Sequence, residues 1–159
     1  MENKSNMQNM EGMGYKKFWI TMAISFVVMY LVMFLNVIEI KHYHTSVTRI
    51  YMTLLMISAM AVVMMLMMGK MYRNKKTNMG IIAGGALVFI LVLVALRSQT
   101  PIGDVQYMKA MIPHHSSAIL TSERANIKEP EVKKLAEDII KAQRKEIAEM
   151  EAAIERLKK

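Results

Sequence analysis

Asp104, Met108, Met111 and His115 are separated by four, three and four positions, and His114 stands directly before the last of them. Successive residues of an α-helix turn by about 100°, so these four fall within roughly 60° of one another on one stripe. A carboxylate, two thioethers and an imidazole along one edge make a graded ligand set. Thioether with imidazole suits Cu(I), and by extension Ag(I); imidazole with carboxylate suits Cu(II). His114 points aside by about 100° and could complete a site with a partner helix or another subunit. Met150 and Glu146, further along the chain, are the candidates to come across. The same spacing also describes a packed core. Met fills irregular apolar gaps, and a histidine on such a face is commonly a satisfied structural residue.

The rest of the composition narrows the chemistry. The 159 residues contain no cysteine and 19 methionines. Thiolate nucleophiles, disulfides and cysteine-based zinc or iron–sulfur sites are excluded, while soft thioether sulfur is abundant. The net charge of +8 raises the question of nucleic acid. Its distribution answers it: residues 1–96 hold nine Lys and Arg against three acids, and residues 97–159 hold twelve against ten. The excess flanks apolar runs, where topology uses it, and no aromatic–basic platform for stacking bases is visible. There is no nucleophile–base pairing and no phosphate loop, so an enzyme is not expected. Glu146 and Glu149 read as a solvated helix face.

The elements that must position the donors fall into three parts. Residues 1–17 form a polar tail, expected to be mobile, with Met7, Met10 and Met13 at three-residue spacing that could bind a soft metal. Residues 18–96 contain three apolar runs, at 18–38, 50–69 and 80–96. At 1.5 Å per residue, about 21 helical residues span roughly 31 Å, the thickness of a hydrocarbon core. Trp19 and Tyr51 lie near span ends, where amphipathic rings favour the interface. The basic loop with Lys70, Arg73, Lys75 and Lys76, together with Lys4, Lys16 and Lys17, places the N-terminus and that loop in the cytoplasm; the loop at 39–49 and residues 97–159 then lie outside.

The third part, 97–159, reads as an extracytoplasmic helical hairpin and completes an all-α fold. Asp104 is the expected N-cap of its first helix. Pro113 lies inside the pattern and is expected to kink or split that helix beside the histidines. Pro130 suits the first turn of the second helix, where Val132, Leu135, Ile139, Ala142, Gln143, Ile147, Met150, Ile154 and Leu157 keep a near-heptad spacing. Two helices of this size bury little, so packing on another copy, on the spans, or both is expected.

The stretch "GDVQYMKAMIPHHSSAILTSERA", followed by "EVKKLAEDIIKAQRKEIAEME", resembles the bacterial family labelled domain of unknown function 305. Asp104, Met108, the run Met111 to His115 and the run Gln143 to Met150 carry the resemblance over about 50 residues, and the three-span region is similar to that of membrane-anchored members. The resemblance implies a ferritin-like helical fold, here a half-bundle, and for some members periplasmic copper binding and copper tolerance. Soluble members often have a further Met where this chain has Thr121, which argues against several copper ions per hairpin. A four-helix version would need a second chain.

Together these readings give an expectation. The protein is a bacterial inner-membrane protein that displays a copper-binding hairpin outside the cytoplasm for sequestration, tolerance or hand-over. Met108, Met111 and His115 are the main Cu(I) ligands; Asp104, His114 and Met150 are secondary. Partners are the lipid bilayer, further copies of the chain and a copper donor or acceptor protein. Two alternatives stand beside it. In one, the Met-rich helices only pack, in a structural or assembly protein. In the other, Met52, Met56, Met60, Met64, Met67 and Met71, within about 120° of arc on the second span, belong to a soft-metal transporter; Met22, Met29 and Met33 add a narrower face on the first. His42 and His44, two apart in an extended exterior loop, would point the same way and could form an auxiliary site or hand metal to the hairpin.

Overall fold

The computed structural model of the protein describes residues 2–72 and 74–158. It is all-helical over these residues: α1 Glu2–Val32, α2 Val47–Met68, α3 Lys75–Ser98, α4 Asp104–Arg124 and α5 Pro130–Leu157, with short 3-10 turns at Ile40–His42 and Gly69–Met71. The backbone of the polar segment 2–17 is the first part of α1. Adding a turn to an existing helix gains a hydrogen bond per residue without a new nucleus, and the apolar part of α1 supplies that nucleus. The side chains of Met7, Met10 and Met13 lie outside the described residues, as does Arg73.

Three stretches, Gly14–Val32, Val47–Met68 and Lys75–Ser98, are long and apolar enough to cross a membrane. Side chains such as Ile24, Leu31, Leu66, Leu87, Leu91 and Val94 are more than half exposed. A helix that is apolar on its exposed faces demands an apolar surrounding, which is the condition of a membrane span.

The chain divides into two compact units. The first comprises residues up to Tyr30 with Ile50–Thr100. Its core is Phe18, Met22, Ala61, Met65 and Ile81, against which Met60 and Met64 pack. The remaining methionines of the α2 stripe, Met52, Met56, Met67 and Met71, are exposed. Asn74 caps α3, its side chain accepting from the backbone N–H groups of Lys76 and Thr77 at 3.1 Å each. α3 meets α2 at Gly85: a Cβ there would lie 2.9 Å from Val62 Cγ2 and 3.3 Å from the Ser58 carbonyl oxygen. Small residues at helix contacts are how spans approach closely without a hydrophobic drive.

The second unit joins Leu31–Arg49 to the chain from Pro101 onward. α4 and α5 form the expected hairpin around Met108, Ile112, Ile119, Ile147 and Ile154, with Ile38 of the preceding loop packed against them. α4 is not split at Pro113, which sits inside the continuous helix, fully buried. The proline removes one backbone hydrogen bond, and burial of its ring offsets part of that loss. The N-cap of α4 is Gly103, and Asp104 occupies the first turn, where its charge favours the helix N-terminus. α5 starts at Pro130, capped by Glu129, whose carboxylate accepts from the Val132 N–H at 2.6 Å. Its buried seam is not the one expected at its start. Ala136, Ile147 and Ile154 are buried and Ile140 joins the core, whereas Val132, Leu135 and Leu157 are exposed. Counting back in sevens from Ile154 reaches Ile147 and Ile140; Val132 and Leu135 belong to a neighbouring stripe that also looks heptad-like.

The loop 33–46 is pinned to α4. Ile38 N–H donates to Ser116 Oγ at 2.9 Å, Asn36 Nδ2 donates to Ser117 Oγ at 2.8 Å, and Val47 N–H donates to Gln106 Oε1 at 3.2 Å. Arg49 donates to the Met33 carbonyl at 2.5 Å and stacks over the Phe34 ring at 4.0 Å from its centroid.

Candidate functional site

The hairpin sets its donors on facing helix stripes. On α4, Tyr107, Met108, Met111 and His115 recur at the three- and four-residue spacing of one face; on α5, Gln143, Glu146, Met150 and Ala153 do the same. These residues, with Glu149, line one open cleft of about 600 Å³. Four of the six residues expected from the sequence, Met108, Met111, His115 and Met150, therefore share a cavity. Met108 is 8% exposed and also belongs to the hairpin core, so one side chain serves both packing and the cleft.

Asp104 and His114 are not among the lining residues. Asp104 is exposed in the first turn of α4. His114 is exposed as well, its ring centroid 6.1 Å from that of His115 and the two rings nearly perpendicular. The 100° step between adjacent helical residues that brings His115 to the cleft turns His114 away from it.

His115 carries the most informative geometry. Its Nδ1 lies 3.1 Å from Glu146 Oε2, with the imidazole side chain 14% exposed and the carboxylate 48% exposed. The contact is not aligned as a hydrogen bond, and Nδ1 is buried without a hydrogen-bond partner. Burial lowers the His115 pKa below its usual 6.5; nearby Glu146 opposes the shift and His114 adds to it. The imidazole is thus neutral at pH 7. With Nδ1 bare, the neutral ring would set a second electron-pair donor beside the Glu146 carboxylate, a pair able to hold a cation; with Nδ1 protonated, the ring would face the carboxylate as a donor. Gln143 Oε1 is also buried without a hydrogen-bond partner, and it lines the same cleft.

Among the described residues, no three His, Cys, Asp or Glu side chains converge in a way that could hold a metal. A site for a hard or borderline cation built from those donors alone is therefore missing there. The cleft's donors are of another kind: three thioethers, one imidazole and carboxylates at the rim, a set that matches soft monovalent copper or silver. Glu149, read from the sequence as part of a solvated face, is a lining residue, as is Tyr107. Glu146, expected with Met150 to come across, is a lining residue too; the same spacing would have found Gln143, seven positions before Met150, and Tyr107, four before Met111.

His42 and His44 do not form the paired extended site expected of them. His42 lies in the 3-10 turn, 3% exposed, with Nδ1 2.9 Å from the buried Ser116 Oγ. A turn breaks the alternation that would have aligned the two rings, and Ser116 engages one of them. His44 has a buried Nε2 without a hydrogen-bond partner. Burial lowers the pKa of both histidines, with Glu151 opposing the shift in each case.

The lining residues, 107–153, fall within a stretch of the chain that matches a known family. Residues 92–159 match the family model described as domain of unknown function (DUF305). An uncharacterized protein of Acanthamoeba polyphaga mimivirus is 38% identical over 114 residues, covering 68% of this chain and 70% of the viral protein. No solved structure matches the chain.

Proposed function

Because this chain belongs to the domain of unknown function 305 family, we propose that it is a membrane-anchored protein whose α4–α5 hairpin binds copper outside the cytoplasm, for sequestration, tolerance or hand-over. The observation that carries the reading is the gathering of Met108, Met111, Met150 and His115 around one cleft, with His115 Nδ1 buried and free of a hydrogen bond. Copper is the cargo. The three thioethers hold Cu(I) without losing a proton, so capture by sulfur is insensitive to pH. His115 adds a neutral nitrogen, kept unprotonated by burial. Glu146 and Glu149 give the rim a negative charge that draws cations toward the sulfur donors and raises the share of Cu(II) held after oxidation.

Avoidance of cysteine fits an oxidising compartment, where thiols are lost to disulfides. The corresponding weakness is oxidation of the ligand methionines to sulfoxides. The role is binding rather than catalysis, and its partners are the bilayer, further copies of the chain and a protein that delivers or receives copper.

The test is Cu(I) competition dialysis of the full-length protein in detergent under reducing conditions, beside Met111→Leu/His115→Ala. Binding that the double variant loses supports the reading; equal binding by both proteins overturns it. The absence of native cysteine makes the topology directly testable. A membrane-impermeant maleimide should label Glu137→Cys in intact cells and Lys75→Cys only after permeabilisation.

A second reading, an assembly module that packs on a partner helix, is favoured by the exposed Val132 and Leu135 on α5. It predicts no Cu(I) binding above the double variant.

A further inference from the structure

The first unit has a cleft of its own, about 530 Å³, within the range of roughly 300–1,000 Å³ typical of small-molecule sites. Trp19 and Met22 of α1, Ser58 and Ala61 of α2, and Gly80 and Gly84 of α3 stand along it. The two glycines are unusual in having no internal reason to be glycine. A Cβ at either would meet no atom within 4 Å, whereas the neighbouring Gly85 is the one pressed against α2. A glycine inside a helix is less favourable than alanine by about 1 kcal/mol, so two of them facing an open groove point to something that approaches the backbone there.

The lining itself carries no charge, but lysines stand just beyond it on two of its helices, Lys16 three positions before Trp19 and Lys76 directly before Thr77. Lys76, Gly80 and Gly84 follow each other at four-residue spacing and share a face of α3; Lys16 lies one turn before Trp19 on α1. Tyr15 Oη donates to Asn78 Oδ1 at 2.7 Å and reaches the Asn74 carbonyl oxygen at 3.2 Å, which sets the two lysine-bearing segments side by side. Both lysines are exposed, and residues 14–30 and 50–100 contain neither Asp nor Glu. The first unit as a whole holds eight Lys and Arg against two acids, Glu2 and Glu11, so the two ammonium groups belong to a unit of net positive charge.

We infer that this groove is a binding site for one anionic phospholipid, its phosphate seated on Lys16 and Lys76 and an acyl chain lying along Gly80 and Gly84. Long lysine stems reach from the apolar region to headgroup level, and each contributes attraction for an anionic headgroup. Charge decides against a second copy of the chain as occupant. Side-by-side copies meeting on this face would bring the same lysines of each together, an unfavourable like-charge contact, whereas a lipid phosphate complements them.

The experiment uses the full-length protein in mild detergent, loaded with phosphatidylglycerol or phosphatidylcholine and read by native mass spectrometry. Phosphatidylglycerol should remain bound in preference. Lys16→Gln/Lys76→Gln should lower its retention roughly 25-fold, about fivefold for each lysine. Lys17→Gln/Lys75→Gln removes the same charge from positions rotated by roughly 140–160° from the groove and should change retention little. Gly84→Leu should fill the groove and expel the lipid; Gly80→Leu, one turn away, serves if the first variant loses its helical circular dichroism. Equal retention of the two lipids, equal effects of the two lysine pairs, or a Gly84→Leu protein that keeps its lipid while a dimer dissociates would each overturn the inference.

Discussion

His42 and Ser116, 74 positions apart, meet through a 2.9 Å contact between Nδ1 and Oγ, and both side chains are buried. The same hydroxyl accepts from the Ile38 N–H, so one serine side chain satisfies a ring nitrogen and a backbone amide of the loop 33–46. It stands directly after His115 in α4. The helix turn that carries the cleft histidine on one face therefore carries the anchor of the loop on another.

Ser116→Ala should destabilise the second unit by about 1–3 kcal/mol, because it leaves His42 Nδ1 and the Ile38 amide without their partner. Ser117→Ala, which loses only the exposed hydrogen bond from Asn36, should change stability by less than about 0.5 kcal/mol. Thermal unfolding followed by circular dichroism compares the two. Equal effects would show that the buried hydroxyl does not anchor the loop.

Acid should loosen the same contact. The folded-state pKa of His42 is held below 6.5 by burial, against Glu39 and Glu151 and with the help of Lys41 and Arg144. The unfolded chain therefore takes up the proton first, and stability is lost as pH falls from 6.5 through the lower folded value. His44 shifts in the same direction. Unfolding midpoints measured between pH 7.5 and 5 should fall, and His42→Asn should reduce the slope even if it lowers the midpoint throughout.

Met111→Leu and Met150→Leu separate ligand from filler. Leucine conserves apolar volume, so each should cost less than about 1.5 kcal/mol of stability. Loss of a thioether should weaken Cu(I) affinity by about tenfold or more, equivalent to 1.4 kcal/mol. Competition with a chromogenic Cu(I) chelator measures the affinity. Unchanged affinity in both variants would assign the two methionines to packing alone.

Gly85 and Gly84 should respond in opposite ways to a methyl group. In Gly85→Ala the new Cβ meets Val62 Cγ2 at 2.9 Å and the Ser58 carbonyl at 3.3 Å, so the α2–α3 contact must open, at a cost of about 1–3 kcal/mol. In Gly84→Ala it meets nothing, and the gain in helix propensity should leave stability equal or higher. Thermal aggregation midpoints in one detergent would rank the two against the wild type.

What the sequence disclosed and what it withheld divide by range. Met108, Met111, His115 and Met150 could be placed on facing stripes because a helix converts local spacing into direction. The three long apolar helices and the hairpin rest on the same local rule. The docking of Asn36, Ile38 and His42 on Ser116 and Ser117 joins residues 74–81 positions apart, and no periodicity reports such a pairing. Glu149 is solvated as expected, 63% exposed, but a helical wheel shows which way a residue points, not what stands opposite, and so did not show that it also lines the cleft. On α5, two apolar stripes overlap, and only the packing against α4 decides that Ala136 and Ile140 are used while Val132 and Leu135 are not. Gly85 could not be told from Gly84 by type; the distance to Val62 distinguishes them.

The second unit is assembled from two pieces of chain that flank α2 and α3. During synthesis, Ile38 and His42 emerge long before the helix that will cover them. They must wait, unshielded, until both intervening hydrophobic segments and α4 have been made. A nascent chain stalled anywhere in that interval presents an orphaned loop, and quality-control proteases have a defined window in which to recognise it.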